Sequence, residues 1–573
     1  PLSGRGVPLP GRPPLLRSAA MRRRPLIVLL GLLALAILLP MSRGMLGFGE
    51  AGTGPSGAAP GPTTATVTAM PEPSASEPSP TDGTPSGSPA ATPEPTPVAT
   101  PGPLADVAVV PVTQFRATAV STNRDEVAAV LAGTSKHYDA LELVESEADA
   151  ILAAVGTERP SVAGRLVLAP DAKTLTKDLA KHRKHLAFLR ADAVTPAVRA
   201  LAWGGRTLFG VGRVTAAADW RLQAQLPAPA ADAAFDPAAT WTMFAGGDIL
   251  LDRGVYETVR IKGKGVDFPF DGGTAEVTGH TCCSSFGWEQ PVTRRTGDGG
   301  AMRKLIKGAD LAIANFENPA PDRFSWHTSK TRFTADPGLI DGLVDAGLDY
   351  VSIANNHIGD AGDAGILQTI ANLKKRGLAY SGAGKDLAAA RKPAMLEANG
   401  IKVAVLGYDA IAPIYFAAKG ETGSAQLSLS RAKADIRGAR KAGADLVIVF
   451  PHWGREYRNS PFAAQQQLAR GIIDAGADMI IGNHAHWAAA VEVYKGKPIW
   501  YALGNFVFDQ TWSEPTMEGI TLELTFHGKD LVQARMRPHI ILDKAQPNFL
   551  DPAGDGRVVM GQVFDGSKGI LPW

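Results

Sequence analysis

Met479-Ile480-Ile481-Gly482-Asn483-His484-Ala485-His486 is the stretch that decides the fold. Three apolar residues make a short buried strand, Gly482 and Asn483 end it, and two imidazoles follow at once. Side chains of an extended segment alternate with a period of two, so His484 and His486 are expected on one side, facing two ions or clamping one. The pattern recurs upstream. Residues 242–245 run into Gly246-Gly247-Asp248, 311–314 into Asn315-Phe316-Glu317-Asn318-Pro319, 350–354 into Asn355-Asn356-His357, and 446–450 into Pro451-His452-Trp453-Gly454. Helical periodicity over 364–375, 432–442 and 463–475 fills the intervals. Strand, polar loop and helix in repetition predict an α/β layered fold whose site gathers at the carboxyl ends of its strands.

Of 11 histidines in the chain, His357, His452, His484 and His486 stand directly after such strands. A single imidazole at a strand end is more often a hydrogen-bonded core residue than a ligand. Four in one topological position, joined by Asp248, Glu317 and Asn356, reverse that expectation. Nitrogen and carboxylate donors without thiolate suit a divalent metal, Zn, Mn or Fe, as one ion or two.

These motifs resemble, in order, those of the calcineurin-like metallophosphoesterase superfamily. Residues 242–509 resemble more closely the CapA family of bacterial poly-γ-glutamate capsule synthesis proteins. The blocks that carry the likeness are Gly247-Asp248-Ile249-Leu250-Leu251-Asp252-Arg253, Ala314-Asn315-Phe316-Glu317-Asn318-Pro319, Asn355-Asn356-His357, Pro451-His452-Trp453-Gly454-Arg455-Glu456-Tyr457 and Leu503-Gly504-Asn505-Phe506-Val507-Phe508-Asp509. The resemblance implies that Asp248 and His486 hold one metal, that Asn356, His452 and His484 hold a second, and that Glu317 bridges them. It makes His357 the proton donor, with Asn356 beside it in the chemistry. Asn315 and Asn483 are expected toward substrate, as are Arg455 and Arg458, loop cations whose charge suits a polyanion or a phosphate. Two departures from the superfamily pattern stand out: Leu250 occupies the place of a ligand histidine, and the Asn315-Phe316-Glu317 block replaces the usual bridging aspartate. The implied function is synthesis, export or anchoring of an extracellular anionic polymer of the poly-γ-glutamate type by a metal-dependent hydrolase or transferase, together with capsule-synthesis membrane proteins. The alternatives are a non-catalytic assembly or polymer-binding factor on a degenerate metallophosphoesterase fold, and an extracellular phosphoesterase acting on phosphate esters.

The remaining chain is read from composition. With 573 residues, 45% hydrophobic and 20% charged, most of it folds into two or three domains. A net charge of +2 gives no electrostatic case for a nucleic-acid partner. Residues 1–20 precede a better start at Met21 and read as an over-extended frame. Residues 21–46 carry Arg22-Arg23-Arg24 and an apolar run, and are expected to be a signal peptide or signal anchor, placing residues 26–41 in the cell membrane with the C-terminal part outside, or releasing the chain as a secreted protein where the signal is cleaved. Residues 47–103 are a Pro/Ser/Thr-rich spacer expected to be disordered. Residues 104–236 read as a small α/β domain without chemistry, with a strand at 207–211 and a basic helical stretch at 177–190 carrying His182 and His185. Residues 237–573 form the CapA-like domain. Cys282 and Cys283, the only two cysteines, are expected as semi-buried, space-filling thiols in preference to a strained vicinal disulfide or a redox pair.

Overall fold

The computed structural model of the protein describes residues 102–231 and 233–573. The first part of these is a six-stranded sheet in the order Leu166–Ala169, Ala140–Val144, His185–Arg190, Leu104–Gln114, Val198–Ala200, with Gln223–Pro227 paired to the start of Leu104–Gln114. Two of its three α-helices begin where a short polar side chain takes a free amide: Asn123 accepts from Glu126 and Asp171 from Thr174. Gly133 and Gly156 close two of them in the left-handed conformation.

Two expectations for this region are corrected. The basic stretch is not one helix: it stops at Lys181, and His185–Arg190 is a strand whose Leu186, Ala187, Phe188 and Leu189 are buried. Flanking lysines and arginines hid a short apolar run. Residues 207–211 form no strand, because their backbone donors are taken by side chains of another sheet. The amide of Gly210 donates to Thr525 Oγ1 at 2.8 Å and that of Val211 to Glu523 Oε1 at 2.7 Å.

The apolar run 446–450 explains the larger architecture. Leu446, Ile448 and Phe450 point into one cluster and Val447 and Val449 into another, so the strand is buried on both faces. It belongs to a six-stranded sheet ordered Ala394–Ala398, Ile401–Asp409, Leu446–His452, Met479–Ile481, Lys497–Trp500, Val491–Tyr494. A ten-stranded sheet faces it, in which Glu518–His527, Thr240–Ile249, Leu311–Phe316, Tyr350–Ser352 and Ala379–Ser381 lie side by side, the last at the edge. Trp241, Met243, Ile313 and Tyr350 of one sheet pack with Val405, Ile448 and Met479 of the other. Helices Gly362–Lys375 and Ala301–Gly308 cover one outer face, and Leu429–Lys441 and Ala463–Asp474 the other. The strands expected to feed one site are thus divided between two sheets of a four-layer sandwich. Thr240–Ile249, Leu311–Phe316 and Tyr350–Ser352 run parallel, as do Leu446–His452 and Met479–Ile481, so the carboxyl ends within each sheet share an edge.

The expected signal or anchor, residues 21–46, and most of the spacer lie outside the described residues. Among the described residues no helix is long and apolar enough to cross a membrane. The membrane partner, the transmembrane-anchored architecture and the single-pass location expected from the sequence have no spanning helix behind them among the described residues and are not retained. A second correction concerns the cysteines, since Cys282 and Cys283 are exposed at the surface and fill no interior space.

Candidate metal centre

Thr240–Ile249 delivers Asp248, fully buried, beside Asn315 of Leu311–Phe316 and Asn505 of Asn505–Val507. Gly247 makes this approach feasible, since a Cβ there would collide with the backbone carbonyl of Gly504. Asn315 Nδ2 donates to Asp248 Oδ1 at 2.7 Å and lies 3.2 Å from His452 Nδ1. From the second sheet, His452 Nε2 meets Asn356 Oδ1 at 2.8 Å and His484 Nδ1 at 3.1 Å. His486 Nδ1 stands 3.5 Å from Asp248 Oδ2, and its Nε2 stands 3.7 Å from Glu317 Oε1. His452 Nε2 is 3.6 Å from the same Glu317 oxygen. Two sets of buried donors result, Asp248, Glu317 and His486 in one and Glu317, His452 and His484 in the other, with Glu317 common to both.

The 484–486 loop reaches this arrangement differently from the extended segment expected. His484 and His486 have φ of 90° and 56°, in the left-handed region that non-glycine residues rarely occupy. The turn lets the His484 amide donate to Asp248 Oδ2 at 3.2 Å while both rings stay in the cleft, 6.0 Å apart. Backbone strain at two consecutive donors is characteristic of a site whose surroundings over-determine it.

The electrostatics of the cleft call for a cation. Burial pushes the Asp248 carboxyl up to about 7. Burial, then repulsion by Asp248 and Glu456, pushes Glu317 well above the usual carboxylate range. Burial lowers the imidazoles: His452 falls well below its ordinary value, helped by His484 and His486, and His484 and His486 fall to about 3. Both carboxylate oxygens of Glu317 and Oδ1 of Asn315 are buried without a hydrogen-bond partner. A buried carboxylate left unpaired costs several kcal/mol on the order-of-magnitude scale for such groups, so its persistence between imidazole donors fits a divalent ion.

The remaining expected site residues separate into three groups. His357 borders the donor set: its Nδ1 faces Asp360 Oδ2 at 2.9 Å, its Nε2 meets Asn356 Nδ2 at 3.0 Å, and Phe333 packs on its ring. Asn483 is buried beneath the donors, pairs by backbone with His452, and leaves its side-chain amide without a partner. Arg455 and Arg458 are exposed on the loop after Leu446–His452, where Arg455 lies over Phe462 at 5.3 Å, and neither hydrogen-bonds to the donor set. Leu250, at the missing ligand position, is fully buried with Phe333, Phe508 and Ile541 in an apolar cluster.

Two functional neighbours were missed. Asp360 orients His357, and Asn505 Oδ1 holds His486 Nδ1 at 2.9 Å while its Nδ2 is fixed by Gln510 and the Thr516 carbonyl. Asn505 sat in a quoted sequence block, but nothing in its spacing marked it as a partner of His486. Partners of this kind fix ring orientation, so Asn505→Ala is expected to weaken divalent-metal binding by about 10 to 100-fold, read by equilibrium dialysis.

Residues 242–510 match the family described as "Bacterial capsule synthesis protein PGA_cap". The chain is 36% identical over 274 residues to the capsule biosynthesis protein CapA of Bacillus anthracis, covering 46% of this chain and 66% of that one. It is 35% identical to the PGA biosynthesis protein CapA of Bacillus subtilis, covering 37% of this chain and 57% of that one. A probable polyglutamine synthesis accessory protein of Mycobacterium tuberculosis is 28% identical over 47% of this chain and 74% of its own length. The chain therefore spans less than two thirds of the two Bacillus relatives. Among solved structures, the calcineurin-like phosphoesterase YfkN of Bacillus subtilis aligns at 15% identity and a TM-score of 0.30, over 57% of this chain and 96% of that one. Through residues 242–510 the chain thus carries a domain that matches the PGA_cap family of bacterial capsule synthesis proteins.

Proposed function

We propose that the protein is a metal-dependent hydrolase or transferase acting on an anionic polymer of the poly-γ-glutamate type. The observation that carries this is the Glu317 carboxylate, shared between two donor sets and unpaired at both oxygens. Asp248 and His486 would hold one ion, His452, His484 and Asn356 the other, and Glu317 both. The chemistry a divalent ion supplies in such a cleft is Lewis-acid stabilisation of a developing oxyanion and activation of water. The chain's own groups do the rest. Asn315 and Asn505 hold Asp248 and His486 in place through their side-chain amides. Asp360, accepting from Nδ1 of His357, keeps the proton on that nitrogen, so that Nε2, which accepts from Asn356 Nδ2, is the nitrogen that would take up and return a proton once that amide gives way to substrate. The polymer assignment draws support from the named relatives, CapA proteins of two Bacillus species.

The test combines metal analysis of the purified protein with turnover of poly-γ-glutamate, read as a change in chain length, and of a phosphate-ester panel with each metal supplied. Metal uptake with cleavage or transfer of the γ-glutamyl polymer is expected. Turnover of the esters alone would replace the reading with phosphoesterase activity. His357→Ala is expected to keep its metal and lose about 10² to 10⁴-fold in kcat. Loss of the metal in that variant would refute its proton-transfer role. One observation favours a non-catalytic polymer-binding factor instead: Leu250 seals the missing ligand position with apolar packing. Under that reading the variant changes nothing.

A further inference from the structure

The 104–227 sheet meets strand Asp530–Leu542 and helix Gly556–Gly566. Ala200 donates its amide to Gln533 Oε1 at 3.1 Å and accepts from Arg535 at 3.1 Å. Beside this contact lies a cavity of about 410 Å³. Five cations line it, Arg116, Arg183, Arg199, Arg557 and Lys568, against one acid, Asp565. The acid is taken by Lys568 at 3.0 Å. Among the described residues none of the four arginines has an ion pair. Arg199 Nε donates to the Ala119 carbonyl at 2.7 Å and Arg557 to that of Ala553, which leaves their charge uncompensated. The Nε of Arg116 is buried without any partner, and its guanidinium lies over Phe564 at 4.8 Å.

Like charges gathered in a half-buried cavity repel one another. Burial and then Arg183 hold Arg116 below its ordinary value, and burial, then Arg535 and Arg537, bring Arg199 to about 10. A fold that needed no anion here would offset these charges with acids, as it does at Arg537, which pairs with Glu523 at 2.6 Å. The floor is apolar, formed by Phe115, Ala534, Met536, Met560 and Phe564. The larger neighbouring cavity, which shares Arg199, Met536 and Pro552, is mixed in charge and contributes nothing to the argument.

We infer that this cavity is a second, metal-independent anion site that holds carboxylates of the polymer while another part of the same chain occupies the metal cleft. An apolar floor under a guanidinium rim matches a backbone in which methylenes alternate with carboxylates, each able to take a two-point guanidinium contact. The carboxylate polymer as occupant rests on the function proposed above. The anion site itself stands on the uncompensated arginines.

The experiment is fluorescence anisotropy with a labelled γ-linked glutamate decamer on the full chain after chelator treatment. Arg183 and Arg557 are exposed, so Arg183→Glu and Arg557→Glu together leave packing intact. The pair is expected to weaken decamer binding at least about tenfold. Lys375→Glu with Lys374→Glu, the same charge change on the exposed end of helix Gly362–Lys375, is expected to leave binding within about twofold. Equal losses in both pairs, or no loss in the first, would overturn the site while leaving the metal reading untouched, since that is read by metal content and turnover. Binding of polyphosphate but not of the decamer, with the same variant pattern, would overturn the carboxylate assignment. Binding of neither would overturn the inference.

Discussion

Glu317→Gln is expected to yield a metal-free protein more stable than wild type by about 1–3 kcal/mol, and one that binds its divalent ion at least about a hundredfold more weakly. Glu317 is fully buried, both its oxygens lack a hydrogen-bond partner, and Asp248 repels its charge. In the absence of an ion that carboxyl either keeps a proton or stays charged without compensation, and both states are costly in a dry cleft. Glutamine keeps the shape, removes the charge and presents an amide donor toward the Asp248 side. It cannot supply the negative oxygen shared by the two donor sets. Stability gained with function lost is the pattern of a site strained for its task. Urea unfolding after chelation reads the first effect and equilibrium dialysis the second. A destabilised glutamine variant would mean that Glu317 serves the fold, and the metal assignment would lose its central support.

The parts of this molecule that the sequence made legible are those where local pattern and burial coincide. Met479–Ile481 was readable to the residue because an apolar triplet is cut off by Gly482 and Asn483. The donors were readable because parallel strands bring their carboxyl ends to one edge, so a polar residue directly after each strand is placed by topology. The division of those strands between two sheets was not readable. Val447 and Val449 face helices while Ile448 and Phe450 face the other sheet, and an unbroken apolar run reports only that both faces are buried. The left-handed backbone of His484 and His486 was hidden for a related reason, since no glycine or asparagine stands at either position to announce it. Asn505 and Asp360 escaped because an orienting partner is defined by the ring it touches. The arginine cavity escaped because Arg116, Arg183, Arg199 and Arg557 are spread over the chain and meet only where the first sheet docks on the C-terminal helix.

Metal binding is expected to release protons from carboxyls and none from imidazoles, and to weaken as pH falls below about 7. Asp248 sits at about 7 in the folded, metal-free protein, against about 3.9 for an unperturbed aspartate, and burial and the Asp248 charge hold Glu317 well above its own ordinary value. A carboxyl raised in this way stabilises the metal-free fold below the unfolded value, and that contribution is lost as pH rises through the folded one. His484 and His486 work in the opposite sense. At about 3 against about 6.5 unfolded, they stabilise the fold above 6.5 and lose that contribution as pH falls toward 3. Between pH 4 and 7 the folded imidazoles are therefore already neutral and ready to donate, while the carboxyls must shed protons to meet the ion. Each carboxyl still protonated should cost about tenfold in affinity per pH unit below its own value. Calorimetry in two buffers of different ionisation enthalpy, at pH 7 and pH 5.5, counts the protons released. About one to two are expected in the wild type, with one fewer in Glu317→Gln, whose residual binding should then follow Asp248 alone. If affinity instead breaks near pH 6.5 and the break survives both Glu317→Gln and Asp248→Asn, the imidazoles carry the competing proton, and the picture of a cleft holding neutral histidines around protonated carboxyls is wrong.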